Sequence, residues 1–195
     1  MKLYLSIIGI AMAIIATVNI ILETAPWYYV ISCVIWCTVL AFLLDGAIAI
    51  IVKKMPDRLF GIDNPHFNVS EREKRLYRRI KVRQWKDKVW ELGGMGGFSK
   101  KALLHPDDPA YIEKFIIECN KGVITHRLSY PIGLLTMLTA FNICAFTIAL
   151  PVAAVNLYLN ILPTIALRYN TPMLKTVLKG LRRKRSAEEH QAITV

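Results

Sequence analysis

The chain has 195 residues, of which 54% are apolar and only 20% charged, with a mean hydropathy of +0.39 and a formal charge of +11. A soluble domain of this length spreads its charges along the chain, but here residues 1–52 carry three charged side chains (Lys2, Glu23 and Asp45) and residues 128–167 carry none. The 17 Lys/Arg and 10 Asp/Glu of residues 53–127, with the 7 and 2 of residues 168–195, form two basic blocks around apolar runs, which excludes an ordinary soluble globule and predicts a small integral membrane protein.

Leu3 to Leu22 is an uncharged run of 20 residues, enough at ~1.5 Å per residue to cross a ~30 Å hydrocarbon core. The following Glu23-Thr24-Ala25-Pro26 lacks the small residues of a signal-peptide cleavage site, so the run reads as a retained first span. Trp27, Tyr28 and Tyr29 form an aromatic belt that opens a return helix through Ile31 to Val52, with Asp45 inside it and Lys53-Lys54 as its stop.

Residues 53–127 are too long for a mere connector. From Ser70 to Leu92 the apolar Leu76, Ile80, Trp85, Val89 and Leu92 recur at spacings of three to five among basic residues, the pattern of an amphipathic helix lying on an anionic leaflet. Nucleic-acid binding is the competing use of such a charge run, and the flanking spans argue against it. Gly93-Gly94-Met95-Gly96-Gly97, with Lys100 and Lys101 beyond it, reads either as a phosphate cradle or as a hinge. It does not match G-x-x-x-x-G-K-[ST] and no strand precedes it, which favours the hinge.

Asp108 is placed to cap a helix that has Pro109 at its first position. Ile112, Phe115, Ile116, Cys119 and Val123 form its apolar side, while Glu118, Gly122, Thr125 and Ser129 make a second stripe with His126 and Arg127 at its edge. Ionisable residues at the mouth of a membrane helix mark a functional site; snorkelling at the headgroups is the plainer alternative. The 40 uncharged residues from Leu128 to Leu167 predict two further helices joined by a tight turn near Pro151 to Asn156, and Pro172 is expected to end the last of them.

All 25 basic residues then fall on one side, giving four spans with both termini cytoplasmic and a multi-pass cell-membrane location. The expected fold is an all-α integral membrane protein of about four transmembrane helices plus cytoplasmic interfacial amphipathic helices. Its parts are an N-terminal transmembrane hairpin (1–52), a basic interfacial segment (53–127), a C-terminal transmembrane hairpin (128–167) and a basic cytoplasmic tail (168–195). Cys33, Cys37, Cys119 and Cys144 have no C-x-x-C or paired His spacing, so they read as reduced core residues, and no metal site is expected. Asp45 is the one ionisable residue well inside a span, free to pair with Arg127 or Arg168 or to take part in chemistry.

The strings MPDRLF (Met55 to Phe60), VRQWKDKV (Val82 to Val89), YIEKFIIECNKGVITHRLS (Tyr111 to Ser129) and LPTIALRYNTPML (Leu162 to Leu174), in this order, resemble the glycosyl-4,4'-diaponeurosporenoate acyltransferase family. The resemblance spans roughly residues 53 to 180. It implies a membrane enzyme that moves a fatty acyl chain onto a sugar hydroxyl of a glycolipid such as a glycosylated carotenoid. The acyl donor would be acyl-coenzyme A or an acidic acyl carrier protein, as a co-substrate rather than a cofactor. Such chemistry needs a base for the hydroxyl proton and donors for the oxyanion. On this reading His126 is the base and Glu118 orients it. Arg83, Trp85, Lys86, Arg168, Tyr169 and Asn170 bind substrate. Glu118 lies about 12 Å before His126 along a straight helix, so a direct bond needs a kink near Gly122. The N-terminus carries one span more than the family pattern, which points to a different lipid acceptor. The partners expected are membrane lipids, the glycolipid acceptor and the acyl donor, with no nucleic acid; oligomeric state is left open. The alternative is a non-enzymatic lipid-binding or scaffold subunit.

Overall fold

A computed structural model describes residues 2–89, 103–140 and 142–193. The glycine cluster, Lys100-Lys101 and Leu92 lie outside the described residues. Among the described residues every regular element is helical and none is a strand. The helices are α1 (Lys2–Ile21), α2 (Trp27–Lys54), α3 (Glu71–Arg79), α4 (Val82–Trp85), α5 (Pro109–Ser129), α6 (Ile132–Leu135) and α7 (Leu150–Ile193), with short 3-10 turns between them and a π-helical segment at Ala145–Ala149. The chain divides into two compact units, Met1–Lys54 with Ile124–Pro163, and Met55–Val123 with Thr164–Val195. Among the described residues three helices, Tyr4–Ile21, Trp27–Lys54 and Ala145–Glu188, are long and apolar enough to cross a membrane.

In the first unit, α1 ends where Glu23 turns into the left-handed region (φ 50), with the Thr24 amide donating to Asn19 O and the Glu23 amide to Ile20 O, both at 3.2 Å. Those bonds satisfy carbonyls that a helix end otherwise leaves open. α2 ends on Lys53 and Lys54, cations that suit the negative end of a helix dipole. Val30, Cys33, Val34 and Cys37 of α2 pack with Cys144, Ile148, Ala149 and Val152 in one core, and small residues there let the backbones approach closely. All four cysteines are buried thiols. Leu5, Ile10 and Ile14 on α1 and Trp36, Leu43 and Ile50 on α2 are exposed.

The expected turn at Pro151 to Asn156 does not exist. α7 runs without interruption from Leu150, directly after the π-helical segment Ala145–Ala149, and Pro151 follows that segment, where the regular i→i+4 ladder is already interrupted. The chain reverses earlier, at Asn142, whose φ is 55. Between α5 and the reversal the described backbone forms the four-residue α6 and the 3-10 turn Thr136–Thr139, so among the described residues three helices reach membrane-crossing length. Pro151 also gives no amide to the Thr147 carbonyl four residues earlier; Asn19 Nδ2 donates to that carbonyl at 2.9 Å and ties α1 to this segment.

Gly133 explains how the short segment sits against α7. A Cβ there would lie 2.8 Å from the Ala153 Cα and 3.1 Å from its carbonyl oxygen. Gly133→Ala should therefore destabilise by about 1–3 kcal/mol. Ala153→Gly should not rescue it, because the nearest atom belongs to the backbone. Thermal unfolding in detergent measures both, and an unchanged midpoint for Gly133→Ala would contradict the packing.

Pro172 does not end the last helix either, since α7 continues to Ile193. Beyond the proline, Leu174 and Leu178 pack with Ile112, Phe115, Ile116 and Cys119 of α5. Two buried leucines at about 2 kcal/mol each offset the ~3 kcal/mol that a proline costs inside a helix. Thr171 Oγ1 also donates to Leu167 O at 3.0 Å.

In the second unit the Glu73 amide donates to Ser70 Oγ at 3.2 Å, capping α3. The expected continuous helix from Ser70 breaks at Lys81, which adopts φ 51 and separates α3 from α4. Tyr77 and Val82 are the buried positions here, while Leu76 stays 50% exposed and Ile80 37%. Asp108 caps α5 as the sequence predicts, its Oδ1 accepting from the Ala110 amide at 2.9 Å. The predicted apolar side of α5, from Ile112 to Val123, is buried.

Candidate functional site

In the first unit, His126 at the end of α5 places Nδ1 2.8 Å from Asn160 Oδ1 on α7. The amide end of Asn160 faces oxygens: Nδ2 donates to Asp45 Oδ2 at 3.1 Å, to Asn156 O at 3.0 Å and to Asn156 Oδ1 at 3.2 Å. A carboxylate and a backbone carbonyl can only accept, which fixes the orientation of the Asn160 amide and leaves its Oδ1 towards the imidazole. The proton of a neutral His126 therefore sits on Nδ1, and Nε2 is the basic nitrogen.

The far end of this chain of hydrogen bonds is under-satisfied. Asn160, Ser129 and Asn156 surround the Asp45 carboxylate. Asp45 Oδ1, Ser129 Oγ and Asn156 Nδ2 are buried without a hydrogen-bond partner. Buried polar atoms are normally paired, and two of these three, Ser129 Oγ and Asn156 Nδ2, are donors beside the third, the Asp45 carboxylate oxygen. An apolar groove formed by α1, α2 and α7 reaches the same place, with Tyr4, Met12, Ala41, Val155 and Asn156 in its walls.

The other expected site residues lie in the second unit. Arg168 is 6% exposed and grips the Glu73 carboxylate with both prongs, Nε to Oε1 and Nη2 to Oε2 at 2.7 Å, while Nη2 also donates to Asn68 O at 3.1 Å. Tyr77 donates its phenol to Glu73 Oε1, and Tyr169 meets the Tyr77 ring edge-on with centroids 6.1 Å apart. Burial alone would raise the Glu73 pKa, but the hydrogen bonds from Arg168 and Tyr77 outweigh it and hold the carboxyl below its ordinary range. Burial, with the adjacent Glu73, pushes the Tyr77 phenol well up. Arg168 and Tyr169 thus fasten α7 to α3. The Asn170 Oδ1 is buried without a partner.

Arg83 is exposed on α4, Trp85 donates its indole N–H to Ile80 O at 3.0 Å, and Lys86 pairs with Asp87 at 2.8 Å. Glu118 lies 3.7 Å from Lys121, which is 8% exposed and also pairs with Asp57 at 2.5 Å. α5 is continuous through Gly122. The group that orients His126 Nδ1 is Asn160. A basic groove lies along the tail of α7, where Lys175, Lys179, Arg182 and Arg183 face Ile62 and Asp63. Lys175 donates to Ile62 O at 2.6 Å, and Arg182 pairs with Glu113 at 2.6 Å. Among the described residues no group of three His, Cys, Asp or Glu side chains could hold a metal ion.

The sequence reading places Ser129 on the α5 stripe but gives Asn156 and Asn160 no part in the site. The signal was there: Asn156 and Asn160 are four apart in a charge-free run, hence on one helix face, and polar side chains at membrane depth are costly to keep.

Apolar helices of crossing length with a half-buried His–Asn–Asp chain among them are the features of a small helical membrane protein. Residues 56–180 match the family described as glycosyl-4,4'-diaponeurosporenoate acyltransferase, and the chain belongs to that family. No curated protein and no solved structure matches it. His126, Ser129, Asn156 and Asn160 fall inside the matched residues; Asp45, Tyr4 and all of α1 precede them.

Proposed function

We propose that this protein transfers a fatty acyl group from a thioester donor to a sugar hydroxyl of a glycolipid, with His126 as general base. His126 Nε2 takes the hydroxyl proton while the oxygen attacks the thioester carbonyl. Collapse of the tetrahedral oxyanion forms the ester, breaks the C–S bond and returns the proton to the departing thiolate. Asn160 holds the imidazole in the required tautomer. Asp45, bonded to that amide, favours the transient imidazolium. The observation that carries the reading is the His126–Asn160–Asp45 chain, because it makes one imidazole nitrogen a donor and the other a base. Acyl-coenzyme A and an acyl carrier protein are both anionic donors, which the cations of the second unit would attract. There Lys179 and Arg183 in the basic groove, with Arg83 on α4, are better placed than Arg168, whose charge is committed to Glu73. Labelled palmitoyl-coenzyme A and palmitoyl carrier protein, offered to membranes containing a glycosylated carotenoid, should give a labelled acyl-glycolipid. No product from either donor would leave the lipid-binding alternative.

The charge distribution supports a chemistry on the cytoplasmic side. Four crossings with all basic residues on one face remain compatible with three long helices if the third crossing is broken, made from the end of α5, α6 and the 3-10 turn up to Asn142. Single cysteines at Glu23 and Asn142, in a cysteine-free background, should react with an impermeant maleimide outside intact cells. One at Asp63 should not. Labelling at Asp63 would reject this topology.

A further inference from the structure

We infer that the outer face of α3, with the start of α4, docks on the headgroups of an anionic lipid leaflet. The guanidinium groups of Arg72, Arg75, Arg79 and Arg83 meet lipid phosphates, and Leu76 and Ile80 dip between them. The inference does not depend on the acyl-transfer reading. Its first support is the way α3 is fixed. Glu73 and Tyr77, four apart, are turned inwards, Glu73 onto Arg168 and Tyr77 buried against Glu73. A helix held that way presents Arg72, Arg75, Leu76 and Arg79 on its outer side, and all four are exposed. Lys81 then leaves the helix at φ 51, and Trp85 turns its indole N–H back to Ile80 O at 3.0 Å. Leu76 stays 50% exposed and Ile80 37%, so two large apolar side chains stand among the arginines instead of joining a core.

The second support is the charge left over. Every acid between Glu71 and Lys88 has its own cation: Glu71 pairs with Lys74 at 2.7 Å, Glu73 with Arg168, and Asp87 with Lys86 at 2.8 Å. The side chains of Arg72, Arg75, Arg79 and Arg83 form no hydrogen bond or ion pair among the described residues, and Arg75 feels Glu71 only at longer range. Free guanidinium groups around isolated apolar side chains match a phospholipid surface, which offers phosphate oxygens at one level and hydrocarbon just beneath. The long arginine stems let the charge stay at the phosphates while the methylenes cover apolar surface. An acidic soluble partner would satisfy the same charges, and connectivity decides between the two. Only residues 55–70 lie between α3 and Lys54 at the end of α2, a helix long and apolar enough to cross a membrane. The face is therefore tethered to a bilayer and meets it at high effective concentration, whereas a free protein or nucleic acid must be captured from solution. Near an anionic leaflet each such cation favours docking by about fivefold.

The test uses the full-length protein in nanodiscs of phosphatidylcholine, with or without about one-third phosphatidylglycerol. The four native cysteines are buried, so Leu76→Cys takes a bimane label in the otherwise unchanged chain. A nitroxide carried high on the lipid acyl chain should quench this bimane about fivefold more strongly in the anionic discs, and high salt should remove the difference. Arg72→Gln, Arg75→Gln and Arg79→Gln together delete three exposed charges that hold nothing in the fold. The combined variant should keep the unfolding midpoint and lose the gain in quenching. Equal quenching in neutral and anionic discs, or a gain that survives the triple substitution, would overturn the inference. So would a bimane that stays in water on both discs and is shielded only when an acyl carrier protein or duplex DNA is added.

Discussion

His126→Ala is expected to reduce acyl transfer by about 10²-fold or more, the usual worth of a positioned base, with membrane insertion and unfolding behaviour little changed. The imidazole is only partly buried, so water can take its place at the Asn160 Oδ1 that truncation leaves behind. Asn160→Leu should lower kcat with KM nearly constant. It removes the acceptor that holds Nδ1–H, and a ring free to rotate or change tautomer loses the geometry on which proton transfer depends. Asp45→Asn keeps the shape but deletes the charge that favours the imidazolium, and belongs between these in severity. Steady-state transfer with a labelled donor resolves the series. Equal activity in all three variants would move the base away from His126.

The largest effect on stability is expected at Glu73 and Arg168. Breaking a buried pair by removing one partner leaves the other charge uncompensated. Glu73→Gln or Arg168→Met should cost about 2–4 kcal/mol, below the fully buried limit because the Glu73 side chain is 22% exposed. Arg168→Lys keeps the charge but loses the planar fork that reaches both carboxylate oxygens and Asn68 O, so it too should destabilise. Since Glu73 titrates below its ordinary range when folded, its contribution is present in full above the usual glutamate pKa of about 4.3 and is lost as pH falls through the depressed value. Denaturant unfolding between neutral and acid pH should show a decline that Glu73→Gln flattens. A decline of the same slope in wild type and variant would place the acid sensitivity elsewhere.

Helices whose cause is local were readable from sequence. α1 and α2 follow from uncharged length and flanking lysines, and α5 from the Asp108-Pro109 start and an apolar side that repeats with the helical turn. Proline does not act as a full stop at Pro151 or Pro172, because helix continuation there depends on partners distant in sequence. Leu174 and Leu178 hold α7 onto α5, and no window around Pro172 contains that information. The basic helix from Ser70 failed for a related reason: Tyr77, not Leu76, is buried, drawn to Glu73 and Arg168.

For the site, the sequence reading selects His126 but not its partner. A direct bond from Glu118 needs a kink near Gly122, and without one Glu118 is expected to hold Lys121, as it does; the partner of His126, Asn160, comes from a helix 34 positions away. Several residues that carry the family resemblance prove to be fastenings: Asp57 to Lys121, Arg168 to Glu73, Glu113 to Arg182. Recurrent charged residues in a small helical protein need not be catalytic when each holds one segment against another.

Asn19 and Pro151 illustrate a different kind of dependence. With any other residue at position 151, an amide would compete for the Thr147 carbonyl that Asn19 now occupies, and the asparagine would bring a polar group to membrane depth with less to gain. With proline retained and Asn19 replaced by leucine, the carbonyl would lose its side-chain donor. Each residue makes the other advantageous, so the two positions, 132 apart in the chain, should exchange as a pair when the sequence drifts.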